Sequence, residues 1–236
     1  MMISVVIPTF NEEARIRESV FKIKQYLESR SSDYEILISD SLSADRTFTI
    51  AKELSSNEKR IKALKTEQNG KGAAVRAGVL HSEGELVLFS DADLSSPVEE
   101  LEKLERALEE GNDIAIASRG LKGSDIFKHQ PWHREFSGKV LNMIIQILYL
   151  PGISDTQCGF KLFRRDIARE LFSKQKINGF LFDVEVLYMA RRKGLKIKEV
   201  PVKWAHKEPS KVSIFKLLPQ ITFDLLRIGP MVKKNL

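Results

Sequence analysis

Two aspartates separated by one residue, Asp91 and Asp93, are the side chains of this sequence best suited to hold a metal ion. They follow the apolar run Glu85–Ser90, which predicts a buried strand. Residues two apart on an extended segment point the same way, so both carboxylates are expected to face one ligand. Open α/β sheets bind ligands beyond the carboxyl ends of their strands, and Mg²⁺ is usually held by one or two carboxylates plus substrate phosphates. An isolated Asp-x-Asp is also a common polar turn that caps a helix. The surrounding elements must therefore show whether the two aspartates form a metal site or only a turn.

The elements that would position this pair alternate between strands and helices. Apolar runs predict strands at residues 3–8, 35–40, 60–64, 85–90 and 113–118, with helices between them. Because these strands are apolar on both faces, we expect an α/β fold with a mostly parallel sheet covered by helices on both faces. Residues 120–132 predict an irregular loop; helices are expected at 133–150, 180–192 and 213–228, and a late strand at 197–204. Pro219 is expected to kink or split the last helix.

Composition limits the class of protein. A chain of 236 residues with 42% apolar and 30% charged residues can bury the core of an ordinary globular domain. The formal net charge of +6 indicates an anionic partner, but no stacking aromatics interleave with the basic residues, so nucleic-acid binding is not expected. The single cysteine, Cys158, excludes an internal disulfide and fits a reducing compartment. No apolar run reaches the ~20 residues that span a bilayer.

Motifs along nearly the whole chain resemble the family-2 inverting glycosyltransferases, which share a Rossmann-like nucleotide-sugar-binding fold called GT-A. In the first half the matching segments are residues 6–13, 39–47, 69–76, 91–93 and 118–119. In the second half, residues 155–161, 182–185, 199–204 and 210–212 resemble the polyprenyl-phosphate branch, and within it the dolichyl-phosphate β-glucosyltransferases. The resemblance implies a GT-A catalytic domain over residues 1–212, and the residue pattern predicts a C-terminal amphipathic, membrane-interfacial helix over residues 213–236.

The resemblance implies transfer of a hexose, with UDP-glucose as the favoured donor, to dolichyl or polyprenyl phosphate with inversion at the anomeric carbon. Mg²⁺ or Mn²⁺ held by Asp91 and Asp93 would neutralise charge on the leaving diphosphate. The acceptor phosphate has a second pKa of about 6, so it is largely dianionic at neutral pH and needs no strong general base. Another nucleotide sugar (GDP-mannose, UDP-N-acetylglucosamine), another acceptor, or a non-catalytic nucleotide-sugar-binding scaffold remain alternatives.

The resemblance also assigns side chains to the two substrates. The expected catalytic residues are Asp93, Arg119 and Arg134, with the two arginines clamping the acceptor phosphate and the donor diphosphate. The expected nucleotide-sugar-binding residues are Pro8, Phe10, Glu12, Asp40, Ser41, Lys71, Gly72, Arg76, Asp91, Ala92 and Lys211. The expected contacts with the sugar or the acceptor are Asp155, Gln157, Asp183 and Glu185. Of these, Asp183 or Glu185 is expected to orient the sugar or an arginine.

Two positions depart from the family pattern. Ser41 stands where the family has a second aspartate that binds the base, and Ser95 stands where mannosyl relatives have a glutamine that assists the metal. A serine hydroxyl can still hydrogen-bond to a uracil edge, without the charge that would strengthen the bond. Simpler roles stay open for three other residues: core packing for Phe10, a turn for Asp40 and a solvated helix position for Arg76.

The C-terminal region indicates how such an enzyme would reach a lipid substrate. Residues 196–236 carry nine Lys and Arg against three acidic residues. Apolar residues recur there at helical spacing: Ile214, Leu217, Leu218, Ile221, Leu225 and Ile228. Together they predict an interfacial helix and a peripheral enzyme on the cytoplasmic face of a membrane. The alternative is that this stripe packs on the sheet and the lysines only solvate it.

Overall fold

A computed structural model describes residues 1–31, 33–207 and 214–235, without the side chains of His133 and of residues 214–217. Nine strands occur in this part of the chain. They are β1 (Ile3–Thr9), β2 (Tyr34–Asp40), β3 (Ile61–Lys65), β4 (Leu86–Ser90), β5 (Ile114–Ser118), β6 (Asp125–Lys128), β7 (Phe160–Arg164), β8 (Ile197–Pro201) and β9 (Lys203–Ala205). The five strands predicted in the first half of the sequence correspond to β1–β5.

Seven of these strands form one sheet in the order β3-β2-β1-β4-β7-β5-β8. All neighbours are parallel except β7, which runs antiparallel to both β4 and β5. The predicted mostly parallel α/β sheet is therefore confirmed. The sequence pattern did not predict β7, which joins the half of the sheet that carries Asp91 to the half that carries Arg119.

Eight α-helices lie in the described residues, and they divide between the two faces of the sheet. On one face are α1 (Ile16–Ser29), α2 (Thr47–Asn57) and α4 (Leu101–Glu109). On the other face are α3 (Lys71–His81), α5 (Trp132–Leu148), α6 (Arg165–Lys174), α7 (Phe182–Arg192) and α8 (Ile214–Asn235). Helices on both faces leave the sheet buried on both sides, as parallel sheets require.

Strand β1 shows why these residues form a doubly covered sheet. Alternate side chains of a strand point to opposite faces, so Val5 and Ile7 enter the core under α1 while Val6 enters the core under α3. All three are fully buried. A Cβ at Gly78 of α3 would collide with the Val6 side chain. Glycine at this position lets α3 pack directly on the strand.

Two expectations for the second half of the chain are wrong, and the possible split of the last helix is not observed. The predicted loop at residues 120–132 contains β6, which pairs in parallel with β9 in a separate two-stranded sheet. The predicted late strand at 197–204 divides into β8 and β9, and Val202 lies between them. Helix α8 is not split at Pro219 but runs from Ile214 to Asn235 through both Pro219 and Pro230. The pairing of β6 with β9 depends on residues about 80 positions apart, which local sequence patterns do not report.

The apolar stripe predicted on α8 faces the protein rather than a membrane. Ile228 is fully buried, and Ile221 and Leu225 pack half-buried against the core. Only Leu218 of the described stripe residues is exposed, and the side chains of Ile214 and Leu217 lie outside the described part. The packing alternative is therefore correct for Ile221, Leu225 and Ile228. In the ranges that the structure covers, no helix is both long enough and apolar enough to span a bilayer.

Candidate active site

Asp91 and Asp93 lie in a tight turn at the carboxyl end of β4. The Leu94 N–H donates to the Asp91 carbonyl oxygen at 3.1 Å, and Leu94 adopts a positive φ of 49°. The expectation of an extended segment is therefore wrong, because the chain turns immediately after the strand. The turn still keeps the two carboxylates close. Burial, followed by the neighbouring charge of Asp91, raises the pKa of Asp93.

Lys71, the first residue of α3, provides the positive charge nearest to this turn. Its Nζ lies 2.7 Å from Asp91 Oδ1. Burial alone would lower the pKa of the Lys71 ammonium, but the carboxylates of Asp91 and Asp183 outweigh burial and raise it. The lysine therefore stays charged at the carboxyl edge of the sheet, where an anionic ligand would bind.

The glycines that open α3 make room for the protein itself. Gly70 has a φ of 124°, and a Cβ there would collide with the backbone of Asn178. A Cβ at Gly72 would collide with the Ile177 carbonyl oxygen and the Phe182 side chain. The space at these two glycines is thus occupied by the connection between α6 and α7, which fixes the start of α3 and its Lys71.

The donor set of the turn suits a hard divalent cation. Asp91 and Asp93 offer carboxylate oxygens, and Asp93 Oδ1 is held by the Ser95 N–H at 2.9 Å. Among the described residues, no group of three or more histidines, cysteines, aspartates or glutamates is arranged to hold a metal ion. Two carboxylates completed by phosphate oxygens are a usual ligand set for Mg²⁺. The residues therefore fit Mg²⁺ or Mn²⁺ that is bound together with a diphosphate.

A buried ion pair, Lys161 with Asp183, lies next to this turn. Lys161 Nζ is 2.7 Å from Asp183 Oδ1 and donates to the Cys158 carbonyl oxygen at 2.6 Å. Both side chains are almost completely buried. The ammonium groups of Lys161 and Lys71 lie 4.8 and 6.0 Å from the centre of the Phe89 ring on β4. Burial raises the pKa of Asp183, whereas Lys161 and Lys71 oppose that rise.

Glu185, two residues further along α7, is engaged by the backbone. It accepts hydrogen bonds from the N–H groups of Lys176 and Ile177 at 2.8 to 3.1 Å and is completely buried. Burial raises its pKa, and these N–H groups act against the rise. Neither Asp183 nor Glu185 reaches the protein surface in this arrangement. Their predicted contact with the sugar remains a prediction that the geometry does not favour.

Arg119, directly after β5, is held by Asp155. Its Nε and Nη2 donate to Asp155 Oδ2 and Oδ1 at 2.6 and 2.9 Å, and its guanidinium lies 5.3 Å from the Trp204 ring centre. Glu199 in turn accepts the N–H groups of Ser154 and Asp155. Burial would raise the pKa of Asp155, but Arg119 lowers it. The carboxylate that orients an arginine is thus Asp155, not Asp183 or Glu185 as expected.

At the end of β2, Asp40 and Ser41 bond mainly to the protein itself. Asp40 is completely buried and accepts hydrogen bonds from the hydroxyl and the N–H of Ser43, which agrees with its alternative role as a turn former. Ser41 Oγ donates to Asn69 Oδ1 at 3.2 Å and accepts the Gly70 N–H at 2.7 Å. Ser41 therefore ties β2 to the start of α3, and its role toward a base remains a prediction.

The residues expected along the nucleotide differ in exposure. Phe10 is 46% exposed, so its alternative role in core packing is wrong and its ring is accessible to a ligand. Pro8 is buried within β1, and Ala92 is buried with its carbonyl oxygen bonded to the Ser19 hydroxyl. Glu12 pairs with an arginine one turn further along the chain at 2.9 Å. Phe10 is the most exposed member of this group, and its contact with a nucleoside remains a prediction.

The remaining predicted residues lie at the edges of the site. Arg76 donates to the Gln175 carbonyl oxygen and the Gln68 side chain, both at 2.9 Å, so it braces α3 rather than lying solvated. The Gln157 N–H donates to a carboxylate oxygen of Asp155 at 3.2 Å. Arg134 lies half-buried in the first turn of α5. Lys211 lies outside the described residues.

Two side chains of the site received no role from the sequence. Lys161 neutralises Asp183, and Trp204 stacks on Arg119. Both lie inside segments that carry the family resemblance, residues 155–161 and 199–204, so the motifs marked the right region. Their roles depend on partners 22 and 85 positions away, and only the fold brings these together.

Comparisons with known proteins agree with this geometry. The family model described as Glycosyl transferase family 2 matches residues 4–172. A dolichyl-phosphate β-glucosyltransferase of Trichomonas vaginalis is 37% identical over 236 residues, covering 95% of this chain and 69% of the relative. The Mus musculus dolichyl-phosphate β-glucosyltransferase is 36% identical over 241 residues, covering 96% of this chain and 74% of the relative.

Solved structures are similar in fold at lower identity. Glucosyl-3-phosphoglycerate synthase of Mycobacterium tuberculosis, in complex with Mn²⁺, UDP-glucose and phosphoglyceric acid, superposes with a TM-score of 0.70 at 21% identity. The alignment covers 96% of this chain and 79% of that one. Mannosyl-3-phosphoglycerate synthase from Rubrobacter xylanophilus gives a TM-score of 0.71 at 17% identity, covering 98% and 73%. These similarities establish a GT-A fold.

Proposed function

The chain belongs to glycosyltransferase family 2, and on this basis we propose that it transfers glucose from UDP-glucose to dolichyl or polyprenyl phosphate. The observation that carries the proposal is the Asp91–Asp93 turn at the carboxyl end of β4, with the charged Lys71 against it. A UDP-sugar carries a diphosphate, and this turn offers the carboxylates and the positive charge that suit a metal-bound diphosphate. The acceptor is proposed from the names of relatives at 34–37% identity that align with nearly the whole chain.

The donor is proposed to bind along the carboxyl ends of β1, β2 and β4. The exposed Phe10 ring offers a surface for the nucleoside, and the Ser41–Asn69 pair lies at the end of the adjacent strand. Asp91 and Asp93 would hold Mg²⁺ or Mn²⁺ at the diphosphate end, and the metal would supply Lewis-acid neutralisation of the leaving group. The Lys71 ammonium adds a fixed positive charge at the same turn, where it contacts a carboxylate oxygen of Asp91.

The acceptor phosphate is proposed to bind Arg119. Asp155 uses two of the five N–H donors of the guanidinium and leaves three for a phosphate. Because Asp155 and Trp204 hold the group on two sides, it is oriented before the acceptor arrives. The dianionic phosphate then attacks the anomeric carbon in line with the departing diphosphate, which inverts the configuration. No described carboxylate is needed as a general base in this scheme.

The test is transfer of radiolabelled sugar from a panel of UDP- and GDP-sugars to dolichyl phosphate, with and without Mg²⁺ or Mn²⁺. We expect lipid-phase label only from UDP-glucose with metal, and loss of that label in Asp93→Asn. Label that comes from another nucleotide sugar would leave the proposed reaction type unchanged but would replace UDP-glucose as the donor. Nucleotide binding without transfer from any donor would contradict the proposed activity and favour a different acceptor or the scaffold role.

Attachment to the cytoplasmic face of a membrane is part of the proposal, since a polyprenyl phosphate resides in the bilayer. The exposed basic residues Arg227, Lys233 and Lys234 of α8 support attraction to anionic lipids. Peripheral attachment of this kind weakens with ionic strength. We expect the protein to sediment with membranes at low salt and to be released at high salt. Sedimentation that salt leaves unchanged would contradict it.

A further inference from the structure

Gly159, the residue before β7, lies directly opposite Asp91 in the sheet. Strands β4 and β7 pair antiparallel with Ser90 opposite Phe160, so the next pair in the same register is Asp91 with Gly159. The backbone forms this pair, because the Asp91 N–H donates to the Gly159 carbonyl oxygen at 3.0 Å. The pairing of the two strands therefore extends to the first carboxylate of the candidate metal site.

The Asp91 carboxylate occupies the space that a side chain at position 159 would need. Opposite residues of an antiparallel pair normally hold their Cβ atoms side by side, about 4.5–5.5 Å apart. At this pair a Cβ on Gly159 would instead collide with the carboxylate carbon of Asp91 and with both of its oxygens. The carboxylate thus lies against the backbone of Gly159, and only a glycine leaves it that room.

We propose that Gly159 is a positioning residue of the metal site, because its lack of a side chain sets where the Asp91 carboxylate lies. The inference rests on the proposed function, in which Asp91 binds Mg²⁺ or Mn²⁺ together with a diphosphate. Gly159 acts through Asp91. It gives a physical reason for the glycine in the segment 155–161, which carries part of the family resemblance.

A purely structural need for glycine does not account for this position. Gly159 is not among the glycines with a positive φ, so alanine can adopt its backbone conformation. The three atoms nearest to a Cβ there all belong to the Asp91 side chain, whereas a Cβ at Gly70 would meet the backbone of Asn178. A short side chain can move away by rotation about χ1. Alanine at position 159 should therefore keep the fold and displace the carboxylate.

The surroundings of Asp91 make such a displacement costly for the site. Lys71 Nζ lies 2.7 Å from Asp91 Oδ1, and the Asp91 side chain is 34% exposed, so part of it is open to a ligand. Rotation away from position 159 would move the oxygens relative to both Lys71 and Asp93. The other end of the same segment, Asp155, holds Arg119. Residues 155–159 therefore orient groups in both proposed substrate sites.

The experiment measures binding of Mn²⁺ in the presence of UDP by Gly159→Ala. Bound Mn²⁺ is obtained from the decrease in the electron paramagnetic resonance signal of free Mn²⁺. We expect the affinity to fall roughly 10–100-fold, as is typical when a group that orients a metal ligand is lost. Gly138→Ala in α5 is the matched control, since nothing lies within 4 Å of a Cβ there. It should bind Mn²⁺ as the wild type does.

A second variant covers the case in which Gly159→Ala folds too poorly to bind Mn²⁺. Asp91→Ala removes the atoms that the new Cβ would meet. The double variant should therefore regain the stability toward urea that Gly159→Ala lost, because the two changes affect one contact. A double variant that stays as unstable as Gly159→Ala would overturn the proposal, since the collision would then lie elsewhere.

The remaining outcomes separate the positioning role from the proposed activity. A folded Gly159→Ala protein with wild-type affinity for Mn²⁺ would overturn the positioning role, and so would a wild type that binds no Mn²⁺ with UDP. Transfer of label from UDP-glucose to dolichyl phosphate is measured in parallel. If the wild type transfers no label but its Mn²⁺ binding depends on Gly159, the positioning role stands and the proposed activity falls.

Discussion

The buried ion pair between Lys161 and Asp183 allows a sharp test of how the site is held. Lys161→Met keeps most of the side-chain volume and removes the ammonium that lies 2.7 Å from Asp183 Oδ1. Lys161 is 1% exposed and Asp183 is 4% exposed, so solvent cannot replace the lost partner. Removal of one partner from a buried pair typically costs 3–5 kcal/mol. We expect a loss of about that size in the free energy of unfolding at neutral pH.

Urea denaturation of a double-variant cycle measures this loss and assigns it to the pair. Asp183→Leu in the Lys161→Met background removes the remaining buried charge, so the double variant should recover part of the stability that Lys161→Met loses. Lys24→Met is the matched control, since it breaks an ion pair of similar length, 2.6 Å to Glu58, that is partly exposed. Its expected cost is only about 0.2–1 kcal/mol.

The raised pKa of Asp183 predicts how the loss of stability in Lys161→Met changes with pH. Burial raises the pKa of Asp183 above its ordinary value of 3.8, and Lys161 opposes that rise. A carboxyl with a raised pKa contributes stability that is fully present below its ordinary pKa and is lost as the pH rises through the folded-state value. In Lys161→Met the larger opposing effect is removed and Lys71 remains, so the pKa of Asp183 rises further. The deficit relative to wild type should therefore shrink as the pH falls toward 3.8.

Two results would refute this reasoning. The first is strict additivity of the two single losses in the double variant, which would mean that the charges do not interact across the 2.7 Å contact. The second is a Lys161→Met deficit that stays constant or grows as the pH falls, because an unpaired buried carboxylate must gain from protonation. Either outcome would mean that packing around Phe89, and not the ion pair, stabilises this region.

Three further outcomes are expected. Asp93→Asn should lower kcat/KM roughly a thousandfold in transfer assays with metal, since the metal stabilises the transition state by several kcal/mol; an unchanged rate would remove this residue from the metal site. Asp155→Asn should lower kcat/KM for the acceptor while UDP binding measured by calorimetry stays intact, because it releases Arg119; loss of UDP binding instead would contradict this. Gly78→Ala should lower the free energy of unfolding by about 1–3 kcal/mol through collision with Val6; unchanged urea stability would show that α3 shifts freely.

The sequence predicts the first half of this fold well because its signals are local. Each of β1–β5 is an apolar run ended by a polar or turn residue, and the helices between them follow directly. Asp91 and Asp93 could be located for the same reason, since they adjoin a strand with an unambiguous pattern. The turn that follows depends on a positive φ at Leu94, a residue type that does not announce such a conformation.

The sequence did not predict those features of the second half that depend on contacts between residues far apart in the chain. The 160–164 segment gives no local sign that it will run antiparallel between two other strands. Asp155 was assigned to the sugar because its own motif says nothing of Arg119, 36 positions earlier. Several apolar residues of α5 are exposed, which the sequence did not indicate, since periodicity shows that a helix has an apolar side but not whether the fold covers it.

The antiparallel strand β7 has a consequence for synthesis of the chain on the ribosome. It occupies the sheet between β4, which ends at Ser90, and β5, which begins at Ile114. Until residues 160–164 leave the ribosome, β4 has an open edge that can pair with another chain. About 70 residues separate the two strands, so at 5–20 residues per second the edge stays open for roughly 4–14 seconds. Slow translation between the emergence of β4 and the emergence of β7 should therefore increase aggregation of the nascent enzyme.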